Sequence, residues 1–282
     1  MTETRPSDVG GVAALLTGRR VVALTGAGVS TDSGIPDYRG PGSPPRKPMM
    51  YADFVSGPRA QRRYWARAHV GWRHLAYAQP NAGHSALVAL ERAGVVSGLI
   101  TQNVDGLHTR AGSRTVLDLH GRIADVACLS CGARTCRSEV HRRLTELNPG
   151  HADRDGMVAP DGDALLDTID VEGFQLAYCS GCGGVLKPDI VFFGENVPRQ
   201  RVDECRSWVD AAEVFLVAGS SLHVMSGFRF VRQAHRAGIP VVIINRGPTR
   251  GDALAAVKLD AGCSATLTGL AEALCPSLQE WR

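Results

Sequence analysis

Five short apolar runs recur along the chain, at 21–25, 95–101, 115–119, 214–218 and 240–245. Turn residues bound each run, and β-branched side chains are common within them. Near-continuous hydrophobicity of this length suits strands buried on both faces of a parallel sheet. Between the runs, apolar residues fall at helical spacing over 61–78, 82–93, 199–211, 224–237 and 267–274. Strands alternating with helices predict an α/β protein with a doubly wound parallel sheet.

Two stretches interrupt that alternation. Residues 40–80 read as a Pro/Gly-rich loop followed by a basic, aromatic helix. Residues 122–188 hold two C-x-x-C pairs, "CLSC" at Cys128 and Cys131 and "CSGC" at Cys179 and Cys182, around a polar insert. Both read as insertions into a Rossmann-like nucleotide-binding domain made of 1–39, 81–121 and 189–282. Together they predict a smaller lobe, one part a helical insertion and the other a Cys₄ zinc-binding module. Two such knuckles can deliver four thiolates to one tetrahedral metal, with a disulfide framework as the competing arrangement. A cleft between the lobes is the expected ligand site.

Composition narrows the partners. At 282 residues and 44% hydrophobic, the chain can bury a sizeable core. A net charge of +3 gives no argument for nucleic-acid binding. The arginines at 59–73 and 134–143 read as solvated helix faces whose mild field suits an anionic cofactor. Cys136, Cys205, Cys263 and Cys275 show no pairing pattern, which fits a reducing, cytoplasmic setting. The first ten residues carry no apolar signal-peptide core, and no run of 18 apolar residues predicts a membrane span.

Polar and glycine turns close most of the predicted strands on one rim. After the first strand, Gly26 and Gly28 form G-x-G, but Thr31 stands where a third glycine would complete the dinucleotide fingerprint. Small residues there, Ala27 and Ser30 included, allow backbone N–H groups close to a pyrophosphate. The helix expected to follow leads to Asp37, Tyr38 and Arg39, with Arg39 placed to meet phosphate or ribose. "TQNVDGLH" crowds Gln102, Asn103, Asp105 and His108 onto the next strand end, where α/β sheets bind ligands. "LDLHGR" puts Asp118 and His120 two apart, on one face if the strand continues. Histidine can take a proton from a sugar hydroxyl near neutral pH, while a buried structural histidine would look the same in sequence. "KPDIVFFGENVP" offers an extended segment able to pair with a peptide backbone. Gly219, Ser220, Ser221 and then Asn245, Arg246, Gly247 end the last two predicted strands.

These motifs, in this order, closely resemble the sirtuins, NAD-dependent protein lysine deacylases. The resemblance is carried by "GAGVSTDSGIPDYRG", "TQNVDGLH", His120-Gly121, the cysteine pairs, "KPDIVFFGE", "GSSL" and "INRGPT", from about Val21 to Cys263. "PDYR" and "PNAGH" resemble the class II and III branches, and "RRYWARAHVGW" and "VAPDGD" further resemble the class II mitochondrial branch, as does the 47-residue spacing between Cys131 and Cys179. The resemblance implies that Gly26, Ala27, Gly28, Ser30 and Asp37 to Arg39 surround the pyrophosphate and nicotinamide ribose. It implies that Gln102, Asn103 and Asp105 hold that ribose and the carboxamide, with His120 as general base. Gly219, Ser220, Ser221, Asn245, Arg246, Gly247 and Cys263 would follow the adenosine half. Val191, Phe193 and Gly194 would flank the acyl-lysine, and the four paired cysteines would bind Zn²⁺.

The implied reaction gives nicotinamide, free lysine and 2′-O-acyl-ADP-ribose, with an acyl-lysine protein or peptide as partner and a monomer as the expected state. Tyr64 and Arg67 form a Y-x-x-R pair like one that binds acidic acyl chains in a related branch, which predicts longer or acidic acyl groups over acetyl. Residues 157–168 are expected to act as a lid or lining near the acyl channel. Mono-ADP-ribosyl transfer is the alternative with the same cofactor. A zinc-ribbon binding module leaves the glycine loop and His120 unexplained, and a dehydrogenase lacks its third glycine.

Overall fold

The computed structural model describes residues 8–39, 48–154, 156–159, 161–165 and 172–275. The first half of the chain runs α1 (Val9–Leu16), β1 (Val21–Thr25), α2 (Tyr51–Val55), α3 (Pro58–Tyr77), α4 (Ala82–Arg92), β2 (Val96–Thr101), α5 (Leu107–Ala111), β3 (Val116–Asp118), β4 (Gly121–Cys128), β5 (Arg134–Cys136) and α6 (Arg137–Leu147). It continues through β6 (Met157–Val158), β7 (Ala164–Leu165), β8 (Leu186–Ile190), α7 (Arg199–Ala211), β9 (Val214–Ala218), α8 (Met225–Arg236), β10 (Val241–Ile244), β11 (Val257–Leu259) and α9 (Cys263–Leu274).

Six strands form one sheet in the order β11-β10-β9-β1-β2-β3, every pair parallel. Alternate residues explain the unbroken apolar runs. Val21 and Ala23 of β1 pack with Leu16, Leu87 and Leu267 on one face, beneath α1, α4 and α9. Val22 and Leu24 pack with Val209, Phe230 and Val231 on the other, beneath α7 and α8. The chain leaves β1 towards β2 on one side, and β9 returns to pair with β1 on the other. The rim above β1 is therefore the topological switch point at which such sheets bind ligands.

A second core lies outside this sheet. It gathers Phe54, Tyr64, Trp65, Val126, Leu144, Phe174 and Phe192 from α2, α3, β4, α6 and the segments around β8. Here β5-β4-β8 form an antiparallel sheet, and β6 pairs with β7 as a short hairpin. The hairpin turn sits hard against α3, since a Cβ on Gly71 would lie 2.0 Å from the Gly162 carbonyl oxygen. The sequence expectations at 40–47, 155, 160 and 166–168 lie outside the described residues.

Several elements depart from expectation. No α-helix follows the glycine loop; Ala27–Val29 and Thr31–Ser33 are two 3₁₀ turns ending at a left-handed Gly34. Ser, Thr and Asp compete with the backbone for hydrogen bonds and favour such turns over helix. The third strand stops at Asp118, so Asp118 and His120 do not share a strand face; Asp118 pairs with Arg122 instead. α9 begins one turn earlier than its spacing predicts, and α1, β11 and the β4-β5-α6 unit add to the predicted elements. Among the described residues no helix is long and apolar enough to cross a membrane.

Candidate active site

A cleft of about 1010 Å³ opens between the strand rim and the second core. Its floor is made where two loops cross. Gly28 N donates to the Gly219 carbonyl oxygen at 2.8 Å. A Cβ on Gly26 would lie 2.7 Å from that same oxygen, and one on Gly219 would lie 2.4 Å from Val29 N. Gly219 is also left-handed, at φ +65°. Glycine is needed at this crossing for space and for backbone conformation. Gly219→Ala is expected to cost about 2 kcal/mol or more and to lower Tm by roughly 4–8 °C in thermal unfolding. An unchanged Tm would show that the loops have room to spare.

The capping box of α4 ties the first loop to the sheet. Asn81 Oδ1 accepts from Gly83 N at 2.9 Å and His84 N at 3.4 Å, while Asn81 Nδ2 donates to the Val29 carbonyl at 2.8 Å. Ala27, Ser30, Asp37, Tyr38 and Arg39 then line the cleft beside Gly26 and Gly28.

The end of β2 supplies the polar wall. Asp105 accepts from Ser30 Oγ at 2.7 Å and Leu107 N at 2.9 Å. Asn103 Nδ2 donates to the Gly26 carbonyl at 3.1 Å and to Ser30 Oγ at 3.0 Å. Gln102 Oε1 accepts from Ser220 Oγ at 2.7 Å. Burial is the main influence on Asp105 and pushes its carboxyl above the ordinary range, against these hydrogen bonds. His108, from the same motif, is not on the cleft wall. It is buried beneath it, with Nε2 2.9 Å from Thr25 Oγ1 and its ring against His84.

His120 sits at the junction of the two sheets, after β3 and before β4, and lines the cleft. Its Nδ1 lies 2.9 Å from the Gln102 carbonyl and its Nε2 2.8 Å from Ser226 Oγ. Burial, then the charges of Arg201 and Arg229, lower its pKa to about 4, although the Gln102 contact acts the other way. A neutral imidazole can accept a proton from a hydroxyl placed in the cleft.

The facing wall follows β8. Val191 N donates to the His120 carbonyl at 2.8 Å, and Tyr51 N donates to the Phe193 carbonyl at 2.9 Å. Val191, Phe193 and Gly194 all line the cleft. Sequence reasoning missed what braces this wall. Buried Lys187 pairs with Glu195 at 3.0 Å, and Glu195 Oε2 also accepts from Phe192 N at 2.8 Å. Both residues were within a quoted motif, but their pairing needs the turn at Gly194, which strand spacing does not predict.

The four paired cysteines converge. Their Sγ atoms lie within 4.8 Å of one another. Cys128 and Cys182 are 3.6 Å apart and Cys131 and Cys179 3.8 Å, and all four are free thiols. These separations exclude disulfides, whose S–S bond is about 2.05 Å. Each knuckle is closed by a backbone bond to a left-handed glycine, Gly132 N to the Cys128 carbonyl and Gly183 N to that of Cys179. Backbone N–H groups of Cys131 and Ser130 hold the Cys128 thiol down to about 6. Four soft thiolates in one cluster fit a zinc ion held with no open position.

Residues 26–226 match the Sir2 family. The chain belongs to this family, the sirtuins. NAD-dependent protein deacetylase 1 of Mycobacterium avium (strain 104) is 56% identical over 268 residues, covering 93% of this chain and 94% of its own. NAD-dependent protein deacetylase 1 of Streptomyces coelicolor is 52% identical over 270 residues, covering 95% and 90%. A solved complex of Sir2 with a p53 peptide and NAD⁺ superposes with a TM-score of 0.75 at 31% identity, covering 93% of this chain and 96% of that one.

Two of the residues singled out from sequence stand apart in this sirtuin. Tyr64 lines the cleft but Arg67 does not. Arg67 turns to the β6-β7 hairpin, where Nη2 meets Asp163 at 3.1 Å and Nε donates to the Ala164 carbonyl at 2.9 Å. Its guanidinium charge is met inside the protein, by Asp163. Cys263 is buried at the start of α9, behind the wall, with Sγ 3.8 Å from the Ile244 carbonyl. Ser221, Asn245, Arg246 and Gly247 do line the cleft, as does Asp161 of the long insert.

Proposed function

We propose that this sirtuin removes acyl groups, acetyl first among them, from lysine side chains of proteins while consuming NAD. The chain is an enzyme of the sirtuin family, and relatives with about half its sequence in common carry the name NAD-dependent protein deacetylase. Bound NAD would supply an electrophilic ribose carbon, a nicotinamide leaving group and ribose hydroxyls. The backbone around Gly26, Ala27, Gly28 and Gly219, with Ser220, Ser221, Asn245, Arg246 and Gly247, would hold it along the strand rim. Ser30 and Asp37 to Arg39 would flank its phosphates and ribose. Gln102, Asn103 and Asp105 would orient the nicotinamide end, and Val191, Phe193 and Gly194 would hold the acyl-lysine opposite. His120 would take a proton at Nε2. The observation that carries this reading is the position of His120, half-buried on the cleft lining between the polar wall after β2 and the extended segment after β8.

Zinc at the four cysteines would hold the fold and do no chemistry, because four protein thiolates leave it no open position. The wide spacing of the cysteine pairs and the "VAPDGD" segment support a place in the class II branch.

The position of Arg67 also bears on the acyl preference. Ile35, Met49, Tyr64 and Phe192 give the cleft an apolar and aromatic side, and Asp161 adds a carboxylate to it. This supports acetyl and longer neutral acyl groups over succinyl or glutaryl, a reading that keeps the longer groups but not the acidic ones of the preference expected from the Y-x-x-R spacing. Arg67→Met is expected to leave the ranking of acyl peptides unchanged while costing roughly 2 kcal/mol of stability. Loss of succinyl or glutaryl turnover alone would restore Arg67 to the site.

Mass spectrometry of the protein with NAD and an acetyl-lysine peptide tests the function itself. Nicotinamide and O-acetyl-ADP-ribose should appear in equal amounts. ADP-ribose attached to protein, with no O-acetyl-ADP-ribose, would establish transferase chemistry instead.

A further inference from the structure

His120 makes one hydrogen bond from each ring nitrogen, and together they fix its state. The Gln102 carbonyl, 2.9 Å from Nδ1, can only accept, so Nδ1 carries the hydrogen. A neutral ring then has its lone pair on Nε2, and the Ser226 hydroxyl 2.8 Å away must donate to it. We propose that Ser226 is a positioning residue for His120: the Gln102 carbonyl sets the Nδ1–H tautomer, and the Ser226 hydroxyl donates to Nε2 and so fixes the orientation of the ring at the cleft wall. The inference rests on the proposed role of His120, but its test does not depend on turnover.

The first turn of α8 is built for this contact. Ser226 is 8% exposed and lines the cleft. The next residue, Gly227, leaves space for Gln102, since a Cβ there would lie 2.5 Å from Gln102 Nε2. Ser220 Oγ holds the same side chain from the other side, at 2.7 Å from Oε1. One turn of helix therefore closes over Gln102, whose carbonyl orients His120, and also reaches the far nitrogen of that imidazole. The Gln102 side chain is thus held from two sides, while its backbone carbonyl meets His120.

Electrostatics act in the same direction. Arg201 on α7 and Arg229 on α8 both disfavour the imidazolium, and Asp189 of β8 partly offsets Arg201 at 3.6 Å. The Ser226 hydroxyl donates to Nε2 of this neutral ring, and by turning its hydrogen away it can also accept from Nε2–H. The lone pair is held and shielded until a ligand hydroxyl takes the place of Ser226 and gives its proton to Nε2.

An isosteric pair of variants separates the hydroxyl from the packing. Ser226→Thr keeps the donor and adds a methyl; Ser226→Val has the same shape without the donor. Histidine ¹⁵N NMR of the ligand-free protein at pH 7 reads the tautomer directly. The parent and Ser226→Thr should show His120 protonated on Nδ1 and bare on Nε2. Ser226→Val should keep the hydrogen on Nδ1, because the Gln102 carbonyl remains, but its Nε2 resonance should move to that of a nitrogen accepting no hydrogen bond. In the acetyl-peptide assay, kcat should fall by roughly 3–10-fold in Ser226→Val and not in Ser226→Thr, with the peptide KM little changed. A parent His120 protonated on Nε2 would overturn the proposal, as would Thr and Val variants that behave alike. Absence of O-acetyl-ADP-ribose from the parent would instead count against the proposed function, with the NMR result unaffected.

Discussion

His120→Ala is expected to slow O-acetyl-ADP-ribose formation by about 10²–10⁴-fold, the range for loss of a positioned general base. NAD affinity, measured by calorimetry, should change far less, because the glycine crossing and the Ser220–Gln102 contact do not depend on the imidazole. A variant within about threefold of the parent rate would remove His120 from the chemistry. The pH dependence follows from its environment. Only the neutral ring has a lone pair at Nε2, so activity is lost as pH falls through the His120 pKa, held at about 4 mainly by burial. The acid limb attributable to this residue should therefore lie near pH 4, with no loss between pH 8 and 6. A midpoint near the ordinary histidine value of 6.5 would mean a solvated ring and a more open cleft.

The sheet was legible in sequence because burial on both faces leaves a simple trace. β1 and β9 are apolar at every position except Thr25, and their ends coincide with the predicted runs. β11 carries Lys258 at the centre of three residues, so no run marks it. The strand-end motifs were legible for a related reason. Polar side chains such as Gln102 and Asn103 directly after an apolar strand have no packing explanation, and the rim gathers them at one cleft. What failed to show in sequence depends on contacts between distant segments. Tyr64 and Arg67 are three apart on α3, which suggests one shared face. The hairpin that draws Arg67 away comes from an insert almost a hundred residues later, and helical spacing carries no information about it. Ser226 was missed because a serine in the first turn of a helix is ordinary, and only the position of His120, over a hundred residues earlier, gives it meaning.

Removal of zinc is expected to unfold the smaller core and abolish activity without the metal taking part in the reaction. The knuckle of Cys179 and Cys182 runs through Gly183, Gly184 and Val185 directly into β8, which delivers Val191 to Gly194 to the cleft. The other knuckle closes β4, the central strand of the same antiparallel sheet. Four thiols clustered within 4.8 Å have no reason to stay together once the metal is gone. Deprotonated they repel, and protonated they leave two glycine turns with little else to pin them. Structural zinc sites contribute about 10–16 kcal/mol of apparent binding free energy in small domains, enough to decide whether such a unit folds. The six-stranded sheet has its own cores on both faces, so loss should be partial rather than global. Elemental analysis should find about one zinc per chain. Cys128→Ser or a strong chelator should lower that content together with peptide turnover. Near-ultraviolet circular dichroism should lose much of its signal, since Trp65 and Tyr64 belong to the smaller core, while far-ultraviolet helix content should fall only in part. A zinc-free chain with the parent's near-ultraviolet spectrum and full deacetylation would show that the thiol cluster holds nothing the fold requires.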